Sequence, residues 1–155
     1  MPTVLIFGDS LSAGYGIDVD QSWTALLQSR LREQGYEHRV VNASISGETT
    51  EGGATQIENA IDTFAPELVI LELGGNDGLR GFPPARIKAN LKAIAERARA
   101  SGAEVVLLVH GSPGSARNFD QLRGELPERF RVIAPDLPGF GSSTRNLGDY
   151  SFTRH

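Results

Sequence analysis

Thr3-Val4-Leu5-Ile6-Phe7-Gly8-Asp9-Ser10-Leu11-Ser12 opens with five residues that are apolar or β-branched and closes on a glycine and three small polar groups. A continuous apolar run of that length, stopped by Gly-Asp, reads as a strand buried on both faces that ends in a tight turn. Strands of this kind belong to parallel sheets covered by helices on both sides. The rest of the chain repeats the pattern. Further strands are expected at Arg39–Asn42, Leu68–Leu73, Glu104–Val109 and Arg131–Ala134. Apolar residues at helical spacing lie between them: Trp23, Leu26, Leu27 and Leu31; Ala54, Ile57, Ile61 and Phe64; Ile87, Leu91, Ile94 and Ala98; Phe119, Leu122 and Leu126. Gly35 and Gly102 stand where helix C-caps belong, and Pro84 suits a first helical turn. The expectation is one α/β domain over residues 1–155, flavodoxin-like, with three layers and a five-stranded parallel sheet in the order 2-1-3-4-5.

From Leu137 to His155 glycines and polar residues replace the helical stripe, so this stretch reads as loop. A last helix, expected after the fifth strand, is not evident. Its absence would leave apolar sheet surface on the order of 400–600 Å², more than monomers usually expose. Self-association as a homo-oligomer through that uncovered face is therefore expected.

Composition narrows the partners. The chain has 155 residues and a net charge of -4, which gives no broad basic surface for phosphates, so no nucleic-acid partner is expected. Zero cysteines exclude disulfides, thiolate metal sites and cysteine nucleophiles. No apolar run reaches the roughly 20 residues of a membrane span. Met1-Pro2-Thr3 carries no charged and apolar leader, which predicts a cytoplasmic chain as given, or a periplasmic one if a signal has been removed.

The chemistry gathers where parallel strands end, since reactive groups in open α/β sheets collect at the carboxyl edge. Ser10 follows the first strand. Asn42-Ala43-Ser44-Ile45-Ser46-Gly47-Glu48-Thr49 follows the second and could offer the Gly47 N–H. Gly74-Gly75-Asn76-Asp77 follows the third and could offer the Asn76 amide. A backbone N–H and an Asn amide are suitable donors for the oxyanion of an acyl transfer. Each group alone has a plainer reading as a cap or turn residue. Three on one sheet edge favour chemistry.

The stretches FGDSLSAGYG, VVNASISGETT and ELGGNDGLRG, in that order, resemble the first three sequence blocks of the SGNH hydrolases, particularly bacterial arylesterases and thioesterase/lysophospholipase enzymes. The resemblance runs from Met1 to about Val109. It implies Ser10 as nucleophile, with Ser10 N–H, Gly47 N–H and Asn76 as the oxyanion hole. It implies small-molecule carboxylic esters or thioesters as substrates and no cofactor. That family supplies its acid and base from an Asp-x-x-His block, and none occurs in this chain. From about Glu104 onward the sequence instead resembles an early part of an α/β-hydrolase, with His110-Gly111 like its oxyanion loop and Asp136 to Gly141 like the loop after its next strand. The nucleophile elbow Gly-x-Ser-x-Gly of that second family is absent. The expected object is thus a chimera-like junction of two hydrolase families.

Of three histidines, His38 precedes the second strand on the amino edge and reads as a surface residue. His110 ends the fourth strand, about 10 Å from Ser10 at ~4.8 Å per strand. His155, with Asp149 or Asp136 as orienting acid, follows the fifth strand as the family's base does. A serine without a positioned base is a poor nucleophile, so impaired turnover is expected. The alternative is a catalytically silent scaffold. A flavin- or phosphate-binding module would rest on fold analogy alone, because no phosphate-cradling glycine loop is present.

Overall fold

The computed structural model describes residues 1–107 and, as backbone, residues 108 and 131–133. The elements run β1 (Thr3–Gly8), α1 (Ser10–Ala13), a 3-10 turn (Val19–Gln21), α2 (Trp23–Glu33), β2 (Arg39–Asn42), α3 (Thr50–Phe64), β3 (Leu68–Glu72), α4 (Gly75–Leu79), α5 (Pro84–Ala100), β4 (Glu104–Leu108) and β5 (Arg131–Ile133). The five strands form one parallel sheet in the order β2-β1-β3-β4-β5. This is the flavodoxin-like arrangement expected from the sequence, with strand ends within a residue or two of those read there. In register, Ile6 lies beside both Asn42 and Ile70, and Gly8 lies beside Glu72. The carboxyl ends of β1, β2 and β3 are therefore nearly level, and the turns after them leave from one edge.

All six residues of β1 are buried, as its uninterrupted apolar pattern requires. On one face Leu5, Phe7, Val69, Leu71 and Leu107 pack with Ile57 and Ile61 of α3 and Ile94 and Ala98 of α5. Those helical positions are among the ones predicted from 3.6-residue spacing. Each fully buried aliphatic side chain here stabilises the fold by about 1.5–3 kcal/mol. The helix ends also follow local chemistry. Gly35 and Gly102 take φ of +79° and +94° just past α2 and α5, and Pro84 is the first residue of α5.

The stripe on α2 needs correction. Leu26 is 58% exposed, and Trp23, Leu27 and Leu31 are only half-buried, whereas Ser22 and Thr24 at the start of the helix are buried. The reason is position: α2 lies against β2, an edge strand, and against the 3-10 turn. The expected stripe at Phe119, Leu122 and Leu126, the expected absence of a last helix and the loop after Leu137 lie outside the described residues.

Gly53 marks the closest approach of α3 to the sheet. A Cβ there would stand 2.5 Å from Leu73 Cδ1 and 3.3 Å from both Ile94 Cδ1 and Phe7 Cε1, all within the core. Opening a helix–sheet contact this tight costs about 1–3 kcal/mol, more than the ~1 kcal/mol of helix propensity gained by replacing glycine. Gly53→Val should lower the urea unfolding midpoint by an amount corresponding to about 1–3 kcal/mol. An unchanged midpoint would show that the two layers are not packed as described.

Candidate active site

The first turn is built around Asp9. Its side chain accepts the Leu11 N–H at 3.0 Å and so caps α1, in which Ser10 is the first residue. Helix α1 lasts four residues before Gly14 ends it at φ +77°. Asn42, at the end of β2, donates from Nδ2 to the Ser12 carbonyl at 2.7 Å and holds α1 from the side. Gly8 is required by space: an added Cβ would lie 2.8 Å from the Glu72 carbonyl oxygen, 2.8 Å from Glu72 Oε2 and 2.9 Å from Ser12 Oγ.

The second turn spans Ile45 to Glu48, closed by the Glu48 N–H donating to the Ile45 carbonyl at 3.1 Å. Gly47 is its third residue, at φ +80°. A Cβ there would meet nothing within 4 Å, so conformation alone calls for glycine. The Ile45 N–H donates to the Gly8 carbonyl at 3.0 Å, joining this turn to the first. Thr49 then caps α3, accepting the Gly52 N–H at 3.3 Å.

The third turn passes Gly74, at φ +122°, into α4. Asn76 Nδ2 donates to the Glu48 carbonyl at 2.9 Å and to Asp9 Oδ2 at 3.2 Å. Arg80 donates to the Gly47 carbonyl at 3.2 Å. Asp77, fully buried, accepts the Thr50 N–H at 2.9 Å and the Thr50 hydroxyl at 2.6 Å, and Asn90 donates to the same hydroxyl oxygen at 3.0 Å. The third turn is thereby fixed to the start of α3.

Three expected residues, Ser10, Gly47 and Asn76, thus lie on turns bonded to one another at the carboxyl edge of the sheet. Ser10 and Asn76 are half-buried and Gly47 is exposed. His38 sits before β2 on the opposite edge, edge-on to Tyr36 with ring centroids 6.1 Å apart. His110, His155, Asp136 and Asp149 lie outside the described residues.

Three carboxylates of this edge escaped the sequence reading: Asp9, Glu72 and Asp77, all buried. Asp9 and Asp77 belong to motifs that drew notice for other members. Glu72 had a signal of its own, an acid closing an otherwise apolar strand. Its Oε2 accepts the Ser12 hydroxyl at 2.8 Å and the Asp9 N–H at 3.4 Å. Burial raises its pKa from 4.5 to about 7; the Ser12 hydrogen bond opposes that rise, and the nearby Asp9 charge adds to it.

Open parallel α/β sheets collect reactive groups at their carboxyl edge, and there this chain places a hydroxyl and two candidate donors on adjoining turns. Residues 6–140 match the GDSL-like lipase/acylhydrolase family, and the chain belongs to it. It is 54% identical over 106 residues to the esterase TesA of Pseudomonas aeruginosa, covering 68% of this chain and 53% of that protein. It is 42% identical over 136 residues to the thioesterase 1/protease 1/lysophospholipase L1 of Escherichia coli, covering 87% of this chain and 61% of that one. The chain therefore spans a little over half the length of these curated relatives. Among solved structures, the SGNH-hydrolase family esterase AlinE4 superposes with a TM-score of 0.74 at 38% identity, over 85% of this chain and 75% of that one.

A raised carboxyl pKa has a definite sign for stability. The native state holds the proton that the unfolded chain releases at about 4.5, so the contribution is present at low pH and is lost as pH climbs toward 7. The stability of the parent relative to Glu72→Gln should fall steadily between pH 4.5 and 7, as read by urea unfolding at each pH. A difference independent of pH would mean that Glu72 titrates as an ordinary surface acid.

Proposed function

We propose that the chain is a serine ester hydrolase acting on small carboxylic esters or thioesters, with Ser10 as nucleophile. The observation that carries this reading is the pair of bonds from Asn76 Nδ2 to Asp9 and to Glu48, which draws the Ser10 and Gly47 turns around one amide. The names of the relatives, esterase and thioesterase, support the same substrate class. Residues 1–155 are taken as one domain.

In this reading Ser10 Oγ attacks the ester carbonyl carbon while its proton passes to a base. The carbonyl oxygen takes the negative charge and is held by the Ser10 and Gly47 N–H groups and Asn76 Nδ2. Such donors act most strongly when fixed before the charge appears. The bond to the alcohol or thiol then breaks, the leaving group takes a proton, and water releases the acyl group from Ser10. The proposed base is His155, oriented by Asp149. Because these replace an Asp-x-x-His block, turnover is expected to be weak. An oxyanion hole without a full triad keeps roughly 10³–10⁴-fold over water.

A second reading is a catalytically silent junction of two hydrolase families at about residue 104. The alignment with TesA, which covers 106 residues, is compatible with such a joint. The family match, which continues to residue 140, favours one family instead. Self-association through the α2 side of the sheet is also proposed, on the strength of Leu26 at 58% exposure. Light scattering should give more than one chain per particle, and Leu26→Lys should reduce it. A monomeric parent would remove this proposal.

The functional test uses a short-chain p-nitrophenyl ester and a fluorophosphonate probe. The parent should hydrolyse the ester and label at residue 10. Ser10→Ala should abolish both, and Asn76→Ala should lower the rate by about 10²–10³-fold or to background. Equal rates in parent and Ser10→Ala, with no labelling, would favour the silent scaffold.

A further inference from the structure

Glu72 is used by none of the steps above, yet its position is singular. It closes β3 beside Gly8 in the ladder and is 7% exposed. The Oε2 atom occupies the space that a side chain at position 8 would need. The same oxygen receives the N–H of Asp9, the residue before Ser10, and the hydroxyl of Ser12, two residues after it. Ser12 is itself fully buried, and its carbonyl is held by Asn42. Both flanks of the serine are thus tied to one carboxyl oxygen beneath the turn. Asp9 in turn carries the bond to Asn76, so the arrangement reaches the second proposed donor through one intermediate residue.

The geometry points to Glu72 as a positioning residue for hydrolysis at Ser10, whose ionised carboxylate holds the nucleophile turn more firmly than its protonated form does. This rests on the reading of Ser10 as nucleophile. The physical reason lies in the donors. Both groups that meet Oε2 donate hydrogen bonds to it, and bonds to an ionised acceptor are roughly twice as strong as neutral ones. A turn fixed more firmly keeps the hydroxyl in attacking geometry for more of the time, which acts on kcat rather than on substrate affinity. Among the described residues, the charged and titratable groups around Glu72 are few. The turn presents the Asp9 carboxylate, which opposes ionisation; α1 presents the Ser12 hydroxyl; β1 presents Gly8, which has no ionisable group. Because burial places the ionisation near neutrality, the two forms exchange within the pH range of an ordinary assay.

The experiment measures kcat and KM of the full chain for a short-chain p-nitrophenyl ester from pH 5 to 9, read at the isosbestic wavelength of the released nitrophenol. Parent, Glu72→Gln, Ser12→Ala and the double variant are compared. Glutamine keeps an acceptor oxygen without the charge. The ratio of parent to Glu72→Gln in kcat should therefore climb from about one below pH 6 to about fivefold above pH 8, with KM unchanged. Any base shared by both proteins cancels in that ratio. The double variant should be no slower than the slower single one, since both changes break one contact. If Glu72→Gln fails to fold, Ser12→Ala serves alone, and its deficit should grow with pH in the same direction. A ratio constant with pH, or effects of the two substitutions that multiply, would overturn the proposal. Ser10→Ala as fast as the parent would remove the nucleophile itself, an outcome told apart from failure at Glu72.

Discussion

Two hydrogen bonds from one side chain hold this sheet edge together. Asn76 Nδ2 reaches Asp9 Oδ2 in the turn after β1 and the Glu48 carbonyl in the turn after β2, while itself standing in the turn after β3. Segments separated by 67 and 28 residues in sequence thereby share a single amide. The Ile45 N–H to the Gly8 carbonyl and Arg80 to the Gly47 carbonyl link the turns in pairs, and the Asn76 amide joins all three at one group. The arrangement also means that the amide hydrogens are already directed at protein acceptors, so an incoming carbonyl oxygen must share or displace one of them.

Around that amide the chain places three buried carboxylates, and each is matched to donors. Asp9 receives the Leu11 N–H and Asn76, Asp77 receives both polar groups of Thr50, and Glu72 receives Ser12 and the Asp9 N–H. Burying a carboxylate without such partners is strongly unfavourable. The partners also explain the glycines. Gly8 makes room for Glu72, and Gly53 lets α3 approach the strand that delivers Glu72 and the turn after it. Packing on one face and polar order at the edge are thus two consequences of the same close approach between helix and sheet.

How much of this was legible beforehand follows from the range of each interaction. The strands, the caps at Gly35 and Gly102 and the start of α5 at Pro84 are settled within a few residues, and they were readable. So were Ser10, Gly47 and Asn76 as groups at strand ends. The stripe on α2 misled because amphipathic spacing tells which residues want burial, not whether a neighbour lies beside an edge strand. Asp9, Glu72 and Asp77 were missed because their meaning depends on ladder register: Glu72 matters only once it is known to stand beside Gly8. Asp9 looked like a motif letter until its second oxygen found Asn76. The acid and base named from the sequence, Asp149 and His155, lie outside the described residues.

The proposed acyl transfer requires that the Ser10 hydroxyl and three donors, the Ser10 N–H, the Gly47 N–H and Asn76 Nδ2, surround one point where an acyl oxygen becomes negative. A crystal structure of the chain after reaction with a small alkylphosphonate tests it most directly. Phosphorus is expected on Ser10 Oγ, with one phosphoryl oxygen within about 2.7–3.1 Å of the Ser10 N–H nitrogen, the Gly47 N–H nitrogen and Asn76 Nδ2. A phosphoryl oxygen turned to solvent, or phosphorus on another residue, would contradict it.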